Sequence, residues 1–125
     1  MKKKVMVFGT FDGLHDGHKA FLKEAKKYGD YLIAVVPSDN IVERLKGIPP
    51  KLTLSKRIKH LGNVDNVDSV IVGDDELGSW KVLQKHRPDI IALGHDQNLI
   101  KEDLERYLSK SDWKPEIRIL KKFKI

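Results

Sequence analysis

The sequence predicts a doubly wound α/β domain: a five-stranded parallel sheet with helices on both faces. Two observations carry this. Apolar runs of four to six residues alternate with segments of helical periodicity along the whole chain. Four of the five runs are apolar throughout, as strands buried on both faces are. Together they describe a Rossmann-like sheet, in which ligands sit beyond the carboxyl ends of the strands near a switch in strand order.

Lys4 to Phe8 is the first strand, followed by Gly9-Thr10-Phe11-Asp12-Gly13-Leu14-His15-Asp16-Gly17-His18 and a helix expected over Lys19–Tyr28. Tyr31 to Val36 is a continuous apolar strand between Gly29-Asp30 and Pro37. Ser38 can cap a short helix through Leu45, with Ile41, Val42 and Leu45 on one face. The segment from Lys46 to Lys51 reads as a loop with a glycine hinge and two prolines. Thr53 or Ser55 then starts a helix with Leu54, Ile58 and Leu61 in register.

Ser69 to Val72 is the third strand, with an acidic turn, Gly73 to Glu76, after it. A helix is expected over Ser79–His86, stopped by Arg87-Pro88. Asp89 to Leu93 is the fourth strand and ends at Gly94-His95-Asp96-Gln97. Lys101 to Lys110 is expected to be helical, and Glu116 to Leu120 forms the fifth strand. Trp80 and Trp113 read as packing residues.

At 125 residues the chain is one domain, 1–125, with a 40% apolar and 34% charged composition. No apolar run reaches the roughly 20 residues that span a bilayer, and the run after Lys4 is too short for a signal peptide. A cytoplasmic location is the expectation. The absence of cysteine excludes disulfides, thiolate metal sites and cysteine nucleophiles. A net charge of +6 suits anionic partners. Many of the lysines fall on helical segments, where a solvated face is the simpler explanation.

The glycine-rich turn after the first strand suits phosphate, because amides at a helix start point outward unpaired. It has neither the G-x-G-x-x-G spacing nor that of a P-loop. His15 and His18, three apart near the first helical turn, project to one side. Two imidazoles beside free helix amides would make a donor-rich pocket for a negatively charged transition state, and Gly17 lets backbone approach a ligand. His-x-x-His could also ligate a metal, but zinc needs three or four protein ligands, so no protein metal site is assigned.

The ten-residue string from Gly9 to His18 resembles the opening signature of the nucleotidylyltransferase superfamily, with its His-x-Gly-His motif. Its Gly-Thr-Phe-Asp start is similar to the cytidylyltransferase-like branch. The resemblance continues through Gly29-Asp30-Tyr31-Leu32, Lys46, Arg57 and Gly94-His95-Asp96-Gln97. Leu93-Gly94-His95-Asp96-Gln97 looks most like the corresponding stretch of archaeal FAD synthases.

The resemblance implies transfer of a nucleotide from a triphosphate to a phosphate acceptor, with pyrophosphate leaving. The favoured pair is ATP with FMN, giving FAD; the alternative is CTP with glycerol 3-phosphate or a similar phosphorylated alcohol. His15, His18 and Lys46 would be catalytic. Gly9, Thr10, Phe11, Gly17, His18 and Asp96 would bind the nucleotide, with Gln97 extending that edge. Arg57 would contact the acceptor or triphosphate, and Asp12 would be structural or metal-orienting. Magnesium would enter mainly on the nucleotide phosphates. A homodimer is also implied.

The branch carries a further C-terminal motif that binds triphosphate, and nothing after Leu120 matches it. The expectation is therefore a domain lacking that segment, with weakened nucleotide binding. Two readings of other classes are a nucleic-acid-binding module and a catalytically silent nucleotide-binding protein. Against the first, aromatic residues are not interleaved with the basic ones.

Overall fold

A computed structural model describes residues 3–76 and 79–120. Its elements run β1 (Lys4–Phe8), α1 (Asp16–Lys26), β2 (Tyr31–Val36), α2 (Asp39–Lys46), α3 (Leu54–Gly62), β3 (Ser69–Val72), α4 (Lys81–His86), β4 (Ile90–Gly94), α5 (Asn98–Leu108) and β5 (Glu116–Leu120). The five strands pair in parallel in the order β3-β2-β1-β4-β5. The chain builds outward from β1 through β2 to β3, then crosses back to lay β4 on the other side of β1. The switch point therefore lies between the carboxyl ends of β1 and β4.

Alternate strand residues feed two cores. On one face, Val5, Val7, Leu32, Ala34 and Ala92 pack against Leu22 and Ala25 of α1 and Leu61 of α3. On the other, Met6, Ile33, Val35, Ile91 and Leu93 meet Val82 and Leu83 of α4 and Leu104 and Leu108 of α5. This two-sided burial is why β1, β2 and β4 are apolar without alternation.

Ser38 and Thr53 cap their helices as their residue types predict, accepting from the amides of Ile41 and Lys56. Gly47 closes α2 in the left-handed conformation, at φ 78°. Three helix starts differ from expectation. α1 begins at Asp16 rather than Lys19 because a histidine, His15, caps it. α5 begins at Asn98 rather than Lys101, after Gln97, whose side chain bonds elsewhere. α4 begins at Lys81 rather than Ser79 because Trp80 stands in the left-handed region at φ 53°. Among the described residues, no helix is long and apolar enough to cross a membrane. The expectation for a motif beyond Leu120 falls on residues outside those described.

Candidate active site

The chain leaves β1 at Phe8 with one more sheet-like bond, from the Gly9 amide to the Val35 carbonyl at 3.2 Å. It then reverses through Phe11, which holds φ 51° although it is not glycine. The reversal folds the Phe11 ring, 5% exposed, back over Gly9 and into the core. A Cβ on Gly9 would stand 2.7 Å from Phe11 Cε2, so only glycine admits that ring. The edge of Phe11 also meets His18, with ring centroids 5.5 Å apart. One buried aromatic thus fixes both the turn and the second histidine.

His15 caps α1 through its ring. Its Nδ1 accepts the amides of Gly17 at 3.0 Å and His18 at 3.3 Å, while the His15 amide donates to His18 Nδ1 at 3.4 Å. An Nδ1 that accepts carries no proton, so the neutral His15 ring has its N–H on Nε2. This corrects one expectation. The first-turn amides of Gly17 and His18 are occupied by His15, and the imidazoles supply the donors that open amides would have given.

Burial of the His18 ring pushes its pKa below the ordinary 6.5, and protonation of the stacked His15 would push the same way. The Gly13 carbonyl and Asp96 act in the opposite direction without reversing it. His18 is accordingly neutral at pH 7.

A cavity of about 470 Å³ opens between the ends of β1 and β4. Its walls carry His15, Gly17 and His18 from the start of α1, Gly9, Thr10 and Phe11 from the turn, Lys46 from the end of α2, and Asp96 after β4. All the proposed catalytic and nucleotide-binding residues therefore meet in one place. Gly94 leaves room for Asp96, whose Oδ1 lies 3.0 Å from where a Cβ would stand. Gln97 also reaches the wall, but its amide is committed. Oε1 accepts the Gly94 amide and Nε2 donates to the Phe8 carbonyl, each at 2.7 Å, which locks β4 to β1 just past their ladder. His95 and Phe21 line the cavity as well. Phe21 lies one turn beyond His18 in α1, a spacing that could have placed it; His95 had only its neighbours to point to it.

Arg57 is placed differently from expectation. It is fully buried, outside the cavity wall. Nε donates to the Leu52 carbonyl at 3.2 Å, one terminal nitrogen to the Thr10 carbonyl at 3.1 Å, and the other to Asp39 Oδ1 at 2.8 Å. The guanidinium ties α3 to the turn after β1 and to α2. Asp12 has a similar task. Its two carboxylate oxygens accept the amides of Lys51 and Leu52, each at 2.7 Å. Burial would raise the Asp12 pKa, but those two bonds, with the charges of Arg57 and Lys46, outweigh it and hold the group ionised. Asp12 and Arg57 thus pin the loop from Gly47 to Thr53 onto the turn that the ligand would face. Among the described residues, no three His, Asp or Glu side chains converge as a protein metal cage would require.

The cytidylyltransferase-like family model matches residues 6–125. The FAD synthase of Thermococcus sibiricus is 40% identical over 118 residues, covering 93% of this chain and 80% of that protein. The FAD synthase of Pyrococcus horikoshii is 42% identical over 107 residues, covering 86% and 72%. A crystal structure described as the lipopolysaccharide core biosynthesis protein from Thermoplasma volcanium superposes with a TM-score of 0.90 at 33% identity, covering 99% of this chain and 100% of that one. Pantoate-beta-alanine ligase from Francisella tularensis shares the fold, with a TM-score of 0.70 at 16% identity. The family model spans the chain from residue 6 onward and the FAD synthases share about 40% identity over most of it, so the chain belongs to the cytidylyltransferase-like family of nucleotidyltransferase enzymes.

Proposed function

We propose that this enzyme transfers the AMP moiety of ATP to FMN, forming FAD and pyrophosphate. The supporting observation is the convergence of His15, His18, Lys46 and Asp96 in one cavity at the β1–β4 switch point, in a chain about 40% identical to FAD synthases. An oxygen of the FMN phosphate attacks the α-phosphorus, a new P–O bond forms, and the bond to the oxygen bridging the β-phosphorus breaks. Pyrophosphate takes that oxygen and its electron pair. The acceptor phosphate is ionised at neutral pH, so no general base is needed.

The chain's task is to hold two polyanions in line and to neutralise the charge between them. The Nε2–H of His15 is a fixed donor in this cavity. His18, neutral before the ligand arrives, gains a reason to protonate once phosphate lies beside it. Lys46 extends from the last turn of α2 and adds a mobile positive charge. Asp96, after β4, suits the ribose hydroxyls of the nucleoside. Magnesium entering with the nucleotide would supply further charge neutralisation.

The test is pyrophosphate release from each of ATP, CTP, GTP and UTP against FMN, glycerol 3-phosphate and phosphopantetheine. The expected result is release from ATP with FMN alone, with FAD as the chromatographed product. Release from CTP with glycerol 3-phosphate would replace this reading with the cytidylyltransferase one. No release with any pair would favour a silent nucleotide-binding protein.

A further inference from the structure

Across the carboxyl end of β1 from the histidines lies a second cavity, of about 490 Å³. Phe8, Gly9 and Thr10 form the wall that the two share. They differ in their basic groups. The first carries His15, His18, His95 and Lys46 beside Asp12 and Asp96, whereas the described lining of the second holds no cation, and its charged groups are the carboxylates of Asp74, Glu76 and Asp103. A triphosphate would be repelled there. The rest of that lining is largely apolar, with Ile41 and Leu45 from α2, Trp80 before α4, and Leu99 and Ile100 from α5.

Two features show that this surface is built to be covered. Leu45 is 60% exposed and Leu99 82% exposed, and both stand on this cavity's wall. Large apolar side chains that converge on one concave mouth mark a binding surface, whereas a scattered one does not. Trp80, meanwhile, is held rigidly at a strained backbone position, φ 53°. Its Nε1 donates to Asp103 Oδ2 at 2.9 Å, and its ring meets Phe8 edge-on at 89°, with centroids 5.5 Å apart. The result is a fixed indole on one side of an apolar slot whose inner wall is the phosphate turn.

We propose that this second cavity binds the planar aromatic ring system of the acceptor, the isoalloxazine of FMN. Its phosphate then passes over Thr10 to the α-phosphorus held on the histidine side, and Leu45, Trp80 and Leu99 determine which acceptor is taken. The proposal rests on FMN being the acceptor. A small phosphorylated alcohol would leave the apolar surface bare, so the cavity selects for a large flat ring.

The test uses Leu45→Gln, Leu99→Gln and their combination, which remove apolar surface without adding charge, beside Ile119→Gln on β5 as a control exposed apolar site. The combined variant is expected to raise the KM for FMN about tenfold, as losing partial contact with two leucines would, and to leave the KM for ATP within about twofold. Ile119→Gln is expected to change neither. Riboflavin, which has the ring but no phosphate, is expected to inhibit the wild type competitively against FMN and not against ATP. Unchanged FMN kinetics in the combined variant, or riboflavin competing with ATP, would overturn the assignment while FAD synthesis stood. A wild-type enzyme that forms no FAD would instead remove the reading on which the assignment rests.

Discussion

The imidazoles of His15 and His18 lie face to face, with ring centroids 3.7 Å apart and planes 20° from parallel, while His15 Nδ1 holds the Gly17 and His18 amides. One ring therefore has two duties, capping a helix through Nδ1 and presenting a donor through Nε2. They can be separated. Asparagine is a good N-cap but has no group at the Nε2 position. His15→Asn is expected to keep the thermal midpoint close to that of the wild type and to lower kcat about 10²- to 10³-fold, the usual effect of removing one transition-state donor. His18→Ala is expected to abolish turnover while the circular dichroism spectrum is preserved. Full activity in His15→Asn would mean that the ring serves the helix alone.

His18 also gives the ligand-free protein a pH dependence of known sign. Burial, and the repulsion that a second charge beside His15 would meet, hold its folded pKa below 6.5. As pH falls through 6.5, the unfolded chain takes up the proton before the folded one does, and stability drops until the folded pKa is passed. Urea unfolding at pH 7.5 and 5.5 is expected to show a larger loss for the wild type than for His18→Gln. Asp12 does not confuse this window. Its folded pKa lies below 3.8, so its stabilising contribution is lost only at more acid pH. Equal losses in the two proteins would show that His18 ionises as freely when folded as when unfolded.

Arg57 distinguishes a substrate contact from a structural tie. Its removal would strand the Thr10 and Leu52 carbonyls and release Asp39 of α2. A part-buried acceptor left without a donor costs about 1 kcal/mol, the low end of the range for buried ones. Arg57→Met is therefore expected to lose about 3 kcal/mol in urea unfolding. Arg57→Lys should recover only part of this, because an ammonium cannot reproduce the fork. A raised KM at unchanged stability would place Arg57 against a substrate after all.

The fold was legible because both faces of the sheet are covered, which makes β1, β2 and β4 read as unbroken apolar runs. The turn from Gly9 to His18 was legible because glycine and histidine spacing is local. Arg57 was not, because its partners are 5, 18 and 47 residues away. A buried arginine and a ligand-binding one look alike until those partners are in place. The start of α1 was misplaced for a related reason. Histidine is not a usual cap, and Nδ1 does here what a serine hydroxyl or an aspartate carboxylate commonly does. Trp80 read as packing and does pack, against Phe8, but its left-handed backbone and its place on an apolar cavity have no local mark in the sequence.

Gly9 and Phe11 should behave as one unit. A methyl group on Gly9 would lie 2.7 Å from Phe11 Cε2 and 2.9 Å from Cζ. The ring cannot swing aside freely, since it is buried against the core and Phe11 holds φ 51°. Gly9→Ala is therefore expected to cost about 1–3 kcal/mol, as overpacking does. The displaced ring should also disturb its edge contact with His18 and lower kcat. Phe11→Leu alone would lose stability by leaving a void. In the double variant the smaller side chain relieves the clash, so the combined loss should be smaller than the sum of the single ones. A double-mutant cycle from urea unfolding measures that difference, expected to be about 1 kcal/mol for residues in contact. Additive losses would mean that Phe11 can leave Gly9 at no cost, and that the turn is not held by this ring.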